Sequence, residues 1–152
     1  MSLAIGGVVS VLGLVIRAWA SGHIRKNDSL ATSGPYAYSR NPLYLGSFLL
    51  GLGFTIGSGW WPLGIVFAAL FLGIYFPVMR VESATLAKIF GADYQKYAEE
   101  VPLFFPRLTR YGQAAPTTKF DSSLYMRYRE YRASLGLLIA WAILAFKAYY
   151  LK

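Results

Sequence analysis

The sequence predicts an all-α integral membrane protein with about four transmembrane helices and short cytoplasmic amphipathic helices. Three observations predict it. The chain of 152 residues is 56% hydrophobic and only 14% charged, where soluble domains carry about a quarter charged residues. A chain this short has too little interior to hide so much apolar surface from water. Its apolar residues also fall in four runs separated by polar stretches, as in helices that cross a bilayer. The length favours a single domain over 1–152.

The first run, residues 3–16 (LAIGGVVSVLGLVI), is uncharged, and Arg17 and Trp19 follow it as interfacial anchors. No basic region precedes the run and no cleavage site follows it, so 3–21 is read as a retained transmembrane helix with Arg17 snorkelling near its end. Residues 22–42 (GHIRKNDSLATSGPYAYSRNP) form the first polar connection. Pro42 suits the first turn of the next helix, where its missing N–H does no harm. That helix runs from 43 to 55 or a little beyond, and carries Gly46, Gly51 and Gly53, small residues that let membrane helices pack closely. Residues 57–62 (GSGWWP) are an uncharged turn with an interfacial Trp60–Trp61 pair. Residues 63–79 span back, with Pro77 marking a kink at the end.

From Arg80 to Arg132 the chain is charged and aromatic. Residues 82–91 read as a separate short helix with Leu86, Ile89 and Phe90 on one side and Gly91 as its stop. Asp93 is expected to cap a second helix, YQKYAEEV, ending by Pro102. Residues 103–119 look irregular. Asp121 can cap a third segment, SSLYMRYREYR, and residues 133–150 are the last apolar run.

The net charge is +8, and twelve of the fifteen Lys and Arg residues lie in 22–42 and 80–132, with none in 57–62. Both basic segments therefore face the cytoplasm and the N-terminus lies outside. Topology accounts for the basic excess, so no nucleic-acid partner is expected. With no cysteine and the single histidine His23, the usual thiolate and imidazole metal sites are not expected. The surroundings of His23 do not fit a serine triad, and neither a Walker loop nor a GxGxxG stretch occurs.

What remains is a set of polar and aromatic groups at the cytoplasmic face, centred on residues 34–46, GPYAYSRNPLYLG. Arg40 can hold a carboxylate bidentately or anchor the chain at the membrane surface. Tyr36, Tyr38 and Tyr44 can line a pocket or belong to an interfacial aromatic belt. Glu82 directly follows a spanning helix and needs a partner. Arg80 is two residues away, a poor helical geometry, so Glu82 is expected to look elsewhere, for example to a cationic ligand group. Such a set suits a charged, soluble cofactor beside a lipid-borne substrate.

The order LATSGPYAYSRNPLYLG, two spanning helices, then ES..L..IFG.DY..Y...VP.F.P resembles the isoprenylcysteine carboxyl methyltransferase family. Membrane methyltransferases acting on phospholipids share its broader plan. The resemblance runs from about His23 to Pro106. It implies S-adenosylmethionine bound on the cytoplasmic side and a lipophilic or isoprenoid-linked acceptor arriving through the membrane, a prenylcysteine-type carboxylate among them. It also implies an active site facing the cytoplasm, here in a prokaryotic inner or plasma membrane, and leaves the oligomeric state open.

Carried over by the resemblance, the cofactor loop falls on Ser29, Leu30, Ala31 and Thr32, then Tyr36. The Arg-His-Pro-x-Tyr signature falls on Arg40, Asn41, Pro42, Leu43 and Tyr44, the cofactor-binding glutamate on Glu82, and Lys26 is a looser match. Arg40, Asn41 and Arg80 are the catalytic candidates, Arg80 being nearest to the family's substrate-contacting arginine. Two positions depart from the pattern. Asn41 stands where the signature has histidine and keeps a donor and an acceptor, but is neither cation nor base near neutral pH. Ser83 stands where a second glutamate is usual. Residues 107–152 lie outside the resemblance, and their spanning helix could cover the site or mediate oligomerisation.

Methyl transfer from a sulfonium is an in-line displacement that needs alignment and dryness more than an acid or base when the acceptor is a carboxylate. Glu82 would hold the cofactor's ammonium or other polar groups, backbone amides at 41–44 its carboxylate, and tyrosines its adenine or sulfonium. Two rival readings stand beside this one. Sterol and steroid reductases using NADPH end in a similar plan, RH.NY and YG..W..Y, but the proline of RNPLY and the FG.DY spacing favour the methyltransferase. A non-catalytic membrane scaffold is kept open by Asn41 and Ser83.

Overall fold

The computed structural model describes residues 1–24, 29–112, 119–129 and 131–150, and every regular element among them is helical. Helix α1 is Ser2–Ser21, α2 Pro42–Ser58, α3 Trp61–Phe90, α4 Ala92–Glu100, α5 Ser122–Arg127 and α6 Tyr131–Tyr150, with a short 3₁₀ turn at Gly34–Ala37. The α1, α3 and α6 helices are long and apolar enough to cross a membrane, and α2 is a shorter apolar helix of 17 residues. Their outer faces are what a bilayer requires. Val8, Val11 and Val15 on α1, Ile65 and Leu72 on α3, and Leu138 and Ile143 on α6 are each more than half exposed. A water-soluble fold would bury such a surface.

Pro42 opens α2 as expected, and Gly59, in the left-handed region at φ 66°, closes it. The two helices expected at 63–79 and 82–91 are instead one helix of 30 residues, with Pro77 inside it. A break at Pro77 would free several backbone groups in hydrocarbon, whereas an unbroken helix loses one bond. At 1.5 Å per residue, α3 is about 45 Å long, more than the ~30 Å hydrocarbon core. Its last turns, from Arg80 on, therefore leave the apolar layer as a rigid polar extension. Gly91, at φ 52°, ends α3 and is also the N-cap of α4. Asp93 consequently lies in the first turn of α4 and does not cap it, though its charge still suits that end of the helix dipole. Asp121 does cap α5, accepting from the Ser123 amide at 2.9 Å.

The tightest packing is between α1 and α2. Gly6, Ser10 and Gly13 face Gly46, Gly53 and Gly57 with backbone against backbone. A methyl group on Gly6 would overlap the Gly53 carbonyl, and one on Gly13 the Gly46 carbonyl. Arg17 does more than snorkel: its Nη1 donates to the Ser47 hydroxyl at 2.5 Å and to the Leu43 carbonyl at 3.4 Å. The α6 helix touches this pair through Trp141, which lies over Gly57 and Gly7.

Gly53→Leu should therefore force α1 and α2 apart, at about 1–3 kcal/mol for overpacking, and lower the thermal midpoint in detergent. Gly73→Ala, where an added methyl meets nothing within 4 Å, should leave the midpoint unchanged or slightly raised.

Candidate functional site

The polar connection turns sharply at Gly34, whose φ of 59° and contact with the His23 ring both exclude a side chain. Pro35 then presets the 3₁₀ turn, which buries Tyr36 and Ala37. The following residues are laced to the irregular segment 102–111. The Arg40 amide donates to the Pro102 carbonyl at 3.0 Å, and the Arg107 and Tyr111 amides donate to the Tyr38 and Ala37 carbonyls at 2.9 and 3.0 Å. The Ser39 hydroxyl donates to the Phe104 carbonyl at 2.8 Å and Asn41 Nδ2 to the Leu103 carbonyl at 2.9 Å. Arg107 braces the far side through the Glu100 carbonyl at 3.0 Å and the Glu100 carboxylate at 3.6 Å.

Helix α4 lies against this loop. Tyr94, Tyr97 and Val101 share one face and are buried against Leu30, Leu86, Phe90 and Tyr111. The Tyr97 hydroxyl donates to the Tyr36 carbonyl at 2.7 Å. Burial first, and the neighbouring Tyr94 second, push the Tyr97 pKa far above the usual phenol value. The Tyr94 and Ser83 hydroxyls are 2.7 Å apart, and Arg40 Nη1 donates to both, at 3.2 and 3.3 Å. Among the described residues, the buried Arg40 Nε has no partner. On the other side, Tyr44 donates to Glu82 Oε1 at 3.0 Å.

These groups frame a cleft of about 240 Å³, lined by Ile24, Ser29, Leu30, Ala31, Tyr36, Arg40, Asn41, Val81, Glu82, Ser83, Thr85, Leu86, Phe90, Tyr94 and Tyr97. That is near the lower end, ~300 Å³, for small-molecule pockets, and one side is open. A second, shallower cleft is lined by Arg40, Arg80, Ser83, Ala84, Ala87 and Leu103. Arg40 and Ser83 line both.

Of the residues singled out from sequence, Ser29, Leu30, Ala31, Tyr36, Arg40, Asn41 and Glu82 come together in the main cleft. Thr32, Pro42, Leu43 and Tyr44 are not on its lining. Pro42 is buried at the start of α2, the Leu43 carbonyl accepts from Arg17 and Ser47, and Tyr44 stands behind Glu82. Arg80 is exposed, with its guanidinium 5.0 Å from the centre of the Phe76 ring, and belongs to the second cleft. Lys26 lies outside the described residues. Sequence reasoning missed Tyr94 and Tyr97. Their three-residue spacing on a short helix was the available signal.

A family model described as phospholipid methyltransferase matches residues 5–93. The chain is 36% identical over 141 residues to the cobalt-zinc-cadmium resistance protein CzcN of Cupriavidus metallidurans, covering 90% of this chain and 64% of that one. It is 35% identical over 111 residues to the nickel-cobalt-cadmium resistance protein NccN of Alcaligenes xylosoxydans xylosoxydans, covering 70% and 51%. It is 32% identical over 81 residues to the protein-S-isoprenylcysteine O-methyltransferase of Schizosaccharomyces pombe, covering 53% and 34%. The chain thus spans less than two thirds of the length of each of these relatives. No solved structure matches.

Tyr97 yields a pH prediction. Its folded-state pKa is raised above the ordinary 10.0, so its contribution to stability is complete below that pH. At higher pH the unfolded chain releases a proton that the folded chain keeps, and stability falls. Thermal midpoints in detergent should drop more steeply above pH ~10 for the parent than for Tyr97→Phe. At neutral pH Tyr97→Phe should cost about 1–3 kcal/mol, because the Tyr36 carbonyl loses its donor.

Proposed function

The chain belongs to the phospholipid methyltransferase family, and from that premise we propose that it transfers a methyl group from S-adenosylmethionine to a lipophilic acceptor at the cytoplasmic membrane face. One observation carries this reading: two sequence-distant blocks, 29–41 and 81–97, converge on one cleft. The placement of basic residues in 22–42 and 80–132 supports the cytoplasmic orientation.

The residues present fit the cofactor. Arg40 Nη1 donates to two hydroxyls, and its Nε is buried without a partner among the described residues. It can therefore take a carboxylate. Glu82 would take an ammonium or ribose hydroxyls, held in place by Tyr44. Leu30, Leu86, Phe90 and Tyr36 supply apolar and aromatic surface for a purine. The bound cofactor supplies an electrophilic methyl on a sulfonium.

The chain's own groups align and shield. Ser83 and Tyr94 hold the Arg40 guanidinium between the two clefts. The laced loop fixes the Tyr36, Arg40 and Asn41 side of the main cleft. With Glu82 given to the cofactor, no histidine or second carboxylate among the described residues lines either cleft, so the site suits an acceptor that needs no proton removed. A carboxylate is such an acceptor, and a prenylcysteine-type carboxylate is the form we favour. The similarity to the Schizosaccharomyces pombe protein-S-isoprenylcysteine O-methyltransferase supports this. Two other relatives are named for metal resistance. Among the described residues, no group of three or more His, Cys, Asp or Glu could hold a metal ion.

Calorimetry on the detergent-purified protein tests the reading. S-adenosylmethionine and its demethylated product should both bind, with affinity falling about ten- to a hundredfold in Glu82→Gln, the loss of a hydrogen bond to a charged group. Heat from NADPH alone would overturn the proposal. Methyl label released by mild base would identify an ester product, and base-stable label would point to an amine.

A further inference from the structure

We propose that the second cleft is a lipid site, which holds the headgroup phosphate of an anionic phospholipid of the surrounding bilayer between Arg80 and Arg40. Neither the site nor its test requires the methyl-transfer reading above.

The two clefts divide α3 by its faces. Arg80 and Glu82 are two residues apart on one unbroken helix, so they point roughly 160° apart around it. Glu82, Leu86 and Phe90 line the main cleft, and Arg80, Ala84 and Ala87 the second. Ser83 lies between these faces and lines both. An anion held by Arg80 therefore sits across α3 from Glu82.

The second cleft is built for an anion. Its lining carries two guanidinium groups and the Ser83 hydroxyl, and no carboxylate. Among the described residues Arg80 pairs with no carboxylate, and its guanidinium rests on the face of the Phe76 ring. Arg40 is fixed from the other side by its Nη1 bonds to Ser83 and Tyr94, while its Nε is buried without a partner among the described residues. Two like charges lining one cleft repel each other, and an anion between them turns that repulsion into attraction. The planar guanidinium fork matches phosphate oxygens. Ala84 and Ala87 have short side chains and leave space beside the two arginines.

Depth in the membrane identifies the anion's source. The exposed Trp60 and Trp61 stand at the start of α3, where an interfacial belt is expected. A rise of ~1.5 Å per residue puts Arg80 about 28 Å along α3 from Trp61, close to the ~30 Å thickness of the hydrocarbon core. Arg80 thus lies at the opposite headgroup layer, where lipid phosphates are. The same face of α3 continues into the apolar layer through Phe76, Gly73 and Ala69, about one, two and three turns before Arg80. All three are exposed, and a methyl group added at Gly73 would meet nothing within 4 Å. A lipid whose phosphate sits on Arg80 has an open track there for its acyl chain.

The test uses the full chain, purified and delipidated in a neutral detergent and titrated with phosphatidylglycerol or phosphatidylcholine in mixed micelles. Bound lipid is counted by native mass spectrometry, and the thermal midpoint is followed alongside. Phosphatidylcholine neutralises its own phosphate with its ammonium, so the parent should bind phosphatidylglycerol at least about tenfold more tightly, the difference a hydrogen bond to a charged group makes. Arg80→Gln should abolish that preference, and Arg80→Lys, which keeps the charge without the fork, should retain part of it. Lys96→Gln, which removes an exposed cation that lines neither cleft, should leave it intact. Arg80 is exposed, so an unchanged midpoint without lipid will show that Arg80→Gln folds. Equal affinity for the two lipids in the parent, a preference that survives Arg80→Gln, or one lost equally in Lys96→Gln overturns the proposal. Displacement of phosphatidylglycerol by millimolar inorganic phosphate would show that the cleft takes a free ion, and overturns the lipid assignment.

Discussion

The site depends on the lacing of residues 37–41 to residues 102–111. A polar loop at the edge of an apolar layer cannot leave its backbone groups unpaired, because the adjoining hydrocarbon offers no replacement partner. Here two irregular segments, far apart in sequence, satisfy each other through three amide–carbonyl bonds and the side chains of Ser39 and Asn41. The same bonds set the start of α2, the placement of Arg40 and the depth of Phe104. Asn41 has a clear part in this. Its side-chain amide donates to the Leu103 carbonyl, a task that an amide donor performs without titrating.

The second constraint lies within the membrane. Without water between helices, packing cannot draw on a hydrophobic driving force and relies on close van der Waals contact. The glycines of α1 and α2 supply that closeness, and Arg17 adds hydrogen bonds to α2. α2 is thereby held against α1 while its other side meets α3 through aromatic rings. The small-residue side makes a rigid base and the aromatic side a filled seam. The polar extension of α3 carries Glu82 and Ser83 over the end of this assembly, where α4 folds back against it.

Much of this was legible in the sequence, for identifiable reasons. Pro42, Gly91 and Asp121 act at the helix ends where their backbone chemistry placed them. Arg40, Tyr36 and Glu82 stood out because polar groups beside apolar runs are costly without a task. Other features were not legible. Pro77 suggested the end of a helix, yet α3 continues through it, since its surroundings set the cost of a break. Asp93 had the chemistry of a cap, but Gly91 had already turned the chain two residues before it.

By itself, the sequence determined the membrane class, the order of the apolar helices and the two polar blocks that make the cleft. These follow from composition and local chemistry, which need no knowledge of what lies across the fold. Only the tertiary structure decided which of the marked residues meet. It put Tyr44 behind Glu82, Arg80 on a separate cleft, and Ser83 and Tyr94 on Arg40. It also drew Phe104 between α2 and α3. The reason is physical: these contacts join residues 33 to 56 positions apart. Whether such partners meet depends on how the helices pack and on where the backbone of an irregular segment finds its hydrogen bonds.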